Sequence, residues 1–279
     1  MHWQTTRFRI ALDRVRVMGI VNVTPDSFSD GGLHADAAEA NAHCERLLQA
    51  GADILDIGGE STRPGAATPS ADEEMARVLP VLRHACKLGV PVSVDTSQPQ
   101  VMAAALALGV DIVNDVRALG RPGALQVVAQ HPQAGVCLMH MRGEPGLMQS
   151  AGQTRYEDVV AEVVGFLAER AQALRKAGVA AERIVLDPGI GFAKLPEHNL
   201  ALLARQGELV RLGYPVLAGW SRKSTLGVIT GRPVDQRVPA SVAAALAAVM
   251  QGARVLRVHD VAATVDALKV WRAAGLCAA

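Results

Sequence analysis

Short, apolar, β-branched runs recur along the chain: "VRVMGIVNV", "DILDI", "VPVSV", "VDIVN", "AGVCLM", "RIVLD", "YPVLA" and "ARVLRV". Between them lie amphipathic stretches such as "ADAAEANAHCERLLQA", "DEEMARVLPVLRHACKL" and "YEDVVAEVVGFLAERAQALRKA". Their apolar residues repeat at three- and four-residue spacing, which predicts helices with one buried face. Gly51, Gly89, Gly109, Gly178, Gly213 and Gly252 each close a helical stretch just before the next apolar run. Glycine past a helix end accepts the left-handed conformation that caps it. The repeated order helix, glycine, strand predicts a parallel α/β architecture.

Eight strand candidates with helices between them fit a (β/α)8 barrel of the TIM type, whose usual size is about 250 residues. A doubly wound open sheet is the alternative. It would more naturally carry a G-x-G-x-x-G or G-x-x-x-x-G-K-[ST] motif after an early strand, and "GIGFAK" at 189–194 lacks the third glycine. No low-complexity linker divides the chain. We therefore expect residues 1–279 to form a single domain, with residues 1–14 as an N-terminal extension of the barrel.

Composition narrows the function. Half of the 279 residues are hydrophobic and the formal net charge is +1. No global electrostatic attraction to nucleic acid or to a membrane surface follows, and any anion site must be local. The four cysteines form no C-x-x-C pair. Cysteines scattered through apolar contexts read as small buried thiols, and a reducing compartment is expected. The start of the chain lacks a long apolar segment, and no run of about 18 uncharged apolar residues occurs anywhere. The expectation is a soluble, cytoplasmic protein.

In such a barrel the active site lies at the C-terminal ends of the strands. They carry Asn22, then the "DIGGESTRPGA" loop, then Asp95, then Asn114 and Asp115, His140 and Asp187. "GWSRKS" follows with Arg222, Lys223 and Ser224, and the last run ends with Arg257 and His259. Loops are wet, so any one of these is unremarkable; a polar group at every end is not. Asp115 and His140 are the members expected to be structural. Thr62, Arg63, Arg257 and His259 are cationic or hydroxylic and suit phosphate oxygens. Asp95, Asn114, Asp187 and Lys223 suit a flat heterocycle with an amidine-like N–H edge, because a carboxylate accepts two parallel N–H bonds.

"MGIVNVTPDSFSDGG", "DIGGESTRPGA", "SVDTS", "VNDVRAL", "MHMRGEPGLMQ", "LDPGIGF", "GWSRKS" and "RVHDV" resemble, in order and spacing, the successive motifs of the dihydropteroate synthase family. Ala193 and Trp220 are small departures beside the site. The resemblance implies a (β/α)8 fold, Mg2+, a homodimer, and condensation of 6-hydroxymethyl-7,8-dihydropterin pyrophosphate with 4-aminobenzoate. It assigns the pterin to Asp95, Asn114, Asp187 and Lys223. It assigns the pyrophosphate to Asn22, Thr62, Arg63, Arg257 and His259, with Asn22 near the Mg2+. Thr24, Pro25, Phe28, Arg63, Pro64 and Ser224 would frame the aminobenzoate. Asp95, Lys223, Arg63, Arg257 and His259 would carry the catalysis. Thr62 and Arg63 are then expected on a mobile loop that closes over the leaving group. Two rivals are weaker. Pterin-binding methyltransferase barrels lack the "TPDSF", "STRPG" and "SRKS" segments, and an inactive paralogue would tend to lose the leaving-group cations.

Overall fold

All eight apolar runs form strands of one closed barrel. The structure, a computed structural model, describes residues 1–24, 32–60, 68–143 and 152–276, with side chains of the first barrel helix from residue 37 onward. Two short strands, β1 (His2–Gln4) and β2 (Arg9–Ala11), precede the barrel and pair antiparallel. The barrel strands are β3 (Arg16–Asn22), β4 (Ile54–Gly58), β5 (Val92–Asp95), β6 (Ile112–Asp115), β7 (Gly135–Met139), β8 (Ile184–Asp187), β9 (Val216–Ala218) and β10 (Ala253–Val258). Each runs parallel to the next, and β10 closes on β3.

The three amphipathic stretches become the helices Gly32–Gln49, Ala71–Ala85 and Val159–Lys176. Local chemistry sets where two of them start. Ser70 and Glu73 form a reciprocal capping box, and the Asp158 carboxylate accepts the Val160 and Ala161 N–H groups. The six closing glycines all take positive φ, between 75° and 98°. Among the described residues no helix is long and apolar enough to cross a membrane.

Strand residues alternate between two environments, as the two-residue side-chain period requires. One set, including Val17, Val21, Leu55, Ile57, Val94, Val113, Leu138, Leu186 and Leu256, packs outward under the helices. The other faces the barrel interior, where Met18, Ile54, Ile112, Cys137, Val185, Leu217 and Val255 form one apolar layer. Two residues further along the same strands lie Ile20, Asp56, Asn114, Met139, Asp187, Gly219 and Arg257. One alternation step therefore changes the interior from hydrocarbon to charge.

The N-terminal segment is more than an extension. Trp3, Ile10 and Leu12 are buried in the interior apolar layer, so the β1–β2 hairpin closes the N-terminal mouth. Trp3 Nε1 donates to the Arg183 carbonyl at 2.9 Å. Arg7 donates from Nη2 to Asp111 Oδ2 at 2.6 Å and from its backbone N–H to Asp111 Oδ1 at 2.9 Å. Gly135 permits the approach: a Cβ there would lie 3.0 Å from both Thr5 Cγ2 and Trp3 Nε1.

Candidate active site

At the open end the polar layer surrounds a cavity of about 570 Å³. Asn22, Thr24, Asp95, Asn114, Asp187, Lys223, Arg257 and His259 all line it. Ser224 does not; it begins the helix Ser224–Thr230 and is exposed. Thr62, Arg63, Pro64, Pro25 and Phe28, and with them the expected closing loop, lie outside the described residues.

Arg257 is the organising cation. Its Nε donates to Asp56 Oδ2 and its Nη2 to Asp95 Oδ2, both at 2.6 Å, joining the last barrel strand to the second and third. Asn114 Nδ2 donates to the same Asp56 oxygen at 3.2 Å. Two of the five guanidinium N–H groups are thus used among the described residues, and the rest remain for an anion. Burial lowers the Arg257 pKa, but Asp56 and Asp95 outweigh that and raise it, so the cation persists at every accessible pH. Burial, and next the nearby Asp56, raise the Asp95 carboxyl, against the pull of Arg257.

Asp187, at the end of β8, and Lys223, in the loop after β9, line the same cavity. Asp187 Oδ1 accepts the Gly189 N–H at 2.7 Å. Burial raises its pKa, opposed by that hydrogen bond and by Lys223. Lys223 sits with Nζ 4.2 Å from the centre of the Phe192 ring, a cation–π contact. Burial pushes its ammonium down to about 8, against the attraction of Asp187.

His259, grouped above with the cations, is buried here. Burial, then Arg257 and Arg222, push it down to about 3, so the ring is neutral. Its Nδ1 lies 3.0 Å from Ser221 Oγ, and that oxygen accepts the His259 backbone N–H at 3.1 Å. In the tautomer whose Nδ1 accepts from the serine hydroxyl, Nε2 carries the ring proton and serves as a neutral donor; in the other, Nδ1 donates to the serine oxygen. The guanidinium next to it is already paired: Arg222 holds Asp260 through two hydrogen bonds, at 3.0 and 2.6 Å.

Asp115 and His140 behave as expected of structural groups. Asp115 accepts from Ser97 Oγ and from the Arg117 and Leu119 N–H groups, and so braces the turn after β6. His140 is buried against Lys194, and burial together with that ammonium pushes it down to about 2. Asp56, Ser221, Phe192 and Lys194 join the site or its support without having stood out in the sequence. Asp56 had a signal, since it is the one charged residue inside "ILDI" and shares the parity of interior Ile54.

Comparison with known proteins agrees with this geometry. Residues 18–259 match the pterin binding enzyme family. A dihydropteroate synthase of Neisseria meningitidis serogroup B is 53% identical, over 98% of both chains. The Xanthomonas albilineans dihydropteroate synthase solved with 4-aminobenzoic acid superposes with a TM-score of 0.92 at 51% identity, over 99% of both chains. The Burkholderia cenocepacia dihydropteroate synthase complexed with 7,8-dihydropteroate gives a TM-score of 0.89 at 51% identity, over 98% of this chain and 96% of that one. The chain belongs to the pterin-binding enzymes and, within them, to the dihydropteroate synthase family.

Proposed function

We infer that the protein is a transferase that condenses 6-hydroxymethyl-7,8-dihydropterin pyrophosphate with 4-aminobenzoate, giving 7,8-dihydropteroate and pyrophosphate. The observation that carries this reading is the pairing, in one cavity, of a carboxylate and an ammonium, Asp187 and Lys223, with a guanidinium, Arg257, only two of whose five N–H groups are engaged among the described residues. The Asp187–Lys223 pair suits the N–H edge and carbonyl of a pterin, with Asp95 and Asn114 completing it. Arg257, neutral His259 and Asn22 suit the pyrophosphate, joined by Thr62 and Arg63. Thr24, Pro25, Phe28, Pro64 and Ser224 are assigned to the aminobenzoate.

The carbon–oxygen bond at the pterin methylene breaks, and its electron pair leaves with the pyrophosphate. The aromatic amine bonds to that carbon and loses a proton. Asp95 stabilises positive character at the methylene, while Arg257 and His259 stabilise the charge gathering on the departing oxygens. Mg2+ fits this donor set. Among the described residues no cluster of three or more His, Cys, Asp or Glu could hold a metal ion. Mg2+, however, binds mainly through phosphate oxygens and water with one or two protein oxygens, a part the Asn22 amide can fill. Bound there, it would neutralise phosphate charge. Exposed Val228, Ile229 and Val234, around the helix Ser224–Thr230, support a homodimer, and we place the protein in the cytoplasm. Incubating it with the pterin pyrophosphate, labelled 4-aminobenzoate and Mg2+ should release labelled dihydropteroate. Absence of that product from well-folded protein would overturn the reading.

A further inference from the structure

Lys194 follows the loop that leaves β8 and is buried to 3% exposure. Among the described residues its amine forms no ion pair, and burial pushes its pKa down to about 7 against the attraction of Asp187. Nζ lies 2.9 Å from His140 Nδ1, 3.0 Å from the Gly189 carbonyl, 3.1 Å from the Phe192 carbonyl and 3.2 Å from the His140 carbonyl. Three N–H groups thus serve four neutral acceptors, two at the end of β7 and two on the β8 loop. The backbone confirms how closely the two are drawn together: a Cβ on Gly189, which has φ +69°, would lie 1.9 Å from the His140 carbonyl oxygen. The tie ends at the residue whose ring carries Lys223, and Phe192 and Ile190 both line the cavity. A second clasp holds the same loop, because Tyr156 Oη donates to the Ala193 carbonyl at 3.0 Å.

We propose that Lys194 is a positioning residue for the pterin half of the site: by fastening the β8 loop to the end of β7, it sets the Phe192 ring on which Lys223 rests. A buried ammonium without a carboxylate partner is costly to maintain in a fold. A hydrophobic side chain would fill the volume, but it could not draw four carbonyl and imidazole acceptors to one point. Lys194 touches neither substrate; it acts through Phe192 and Lys223. The inference rests on the assignment of the pterin to the Asp187–Lys223 pair.

A double-mutant cycle between Lys194→Met and Phe192→Ala tests it, with calorimetric affinity for 6-hydroxymethyl-7,8-dihydropterin as the readout. Each single substitution should weaken pterin binding about tenfold, and the double mutant should be little worse than either, because both break one linkage. Multiplying losses, or full affinity in Lys194→Met, would overturn the proposal. If Lys194→Met does not fold, His140→Leu withdraws the ring nitrogen that Lys194 binds and runs the same cycle with the same two outcomes. Asp187→Asn is measured alongside. If it too leaves pterin affinity untouched, the pterin assignment itself has failed; if it alone loses affinity, only the role of Lys194 has.

Discussion

The two mouths of the barrel are built from the same eight strands and differ in almost every other respect. At the closed mouth the interior layer is hydrocarbon, and the polar groups at its rim are satisfied. Fully buried Asp111 accepts from the Arg7 side chain, the Arg7 N–H and the Val92 N–H. At the open mouth, one alternation step away, Asp56 is fully buried and its Oδ1 has no hydrogen-bond partner among the described residues, nor does Ser93 Oγ. Burial there raises carboxylates and lowers Lys223. One end is optimised for holding the fold, the other for holding something else, and polar groups at the second stay under-satisfied until a ligand arrives.

Three experiments would break or sharpen that contrast. The largest effect belongs to the closed mouth. Trp3→Ala removes a fully buried indole and its hydrogen bond to Arg183, and should cost about 3–5 kcal/mol of stability. Denaturant titration measures the loss, while kcat/KM per folded molecule should stay within about twofold of the parent. A large drop in kcat/KM for the folded fraction would show that the two ends are not separable.

Asp187→Asn acts at the other end. The asparagine oxygen can keep the Gly189 N–H bond, which turns the amide NH2 toward the pterin edge as donor against donor. Pterin affinity should fall by about 2–4 kcal/mol, with stability unchanged or improved because a buried carboxylate is gone. Calorimetry paired with thermal unfolding decides; a variant that loses stability but keeps affinity reverses the assignment.

The smallest effect is a matter of pH. Glu74, on the helix behind β4, is fully buried, and Thr96 gives its carboxylate only weak support. Burial pushes its pKa up to about 7. The folded state therefore binds more protons than the unfolded chain between about pH 4.3 and about 7, and stability falls as pH rises through that window. Glu74→Gln removes the dependence and should stabilise the protein at pH 8 by roughly 1–3 kcal/mol. Midpoints of unfolding measured from pH 5 to pH 8 test it, and parallel curves for parent and variant would sink the idea.

Much of this was legible in the chain. The strand runs were short and branched with polar residues at or just past their ends, and six of the helices closed on glycine, so both the barrel and its open end could be read locally. The floor could not. Three-residue strands show too little alternation to register, and Trp3 acquires meaning only against Arg183 and Gly135. Asp56 hid inside an apolar run because its partner is supplied by a strand far along the chain. The charge of His259 is decided by burial, which is not a property of its neighbours in sequence. Lys194 looked like the tail of a glycine-rich turn; its acceptors include two on His140, 54 residues away.

The Arg257 bridge has a consequence for the order of assembly. Its two carboxylate partners lie 201 and 162 residues earlier in the chain. While the polypeptide is being made, β4 and β5 emerge long before β10, so every partial barrel holds Asp56 and Asp95 without their cation. Closing an intermediate around two unneutralised carboxylates is expensive, and the long loop must also be closed before the contact repays it. Completing the barrel and completing the Arg257 cluster with Asp56 and Asp95 are therefore a single step.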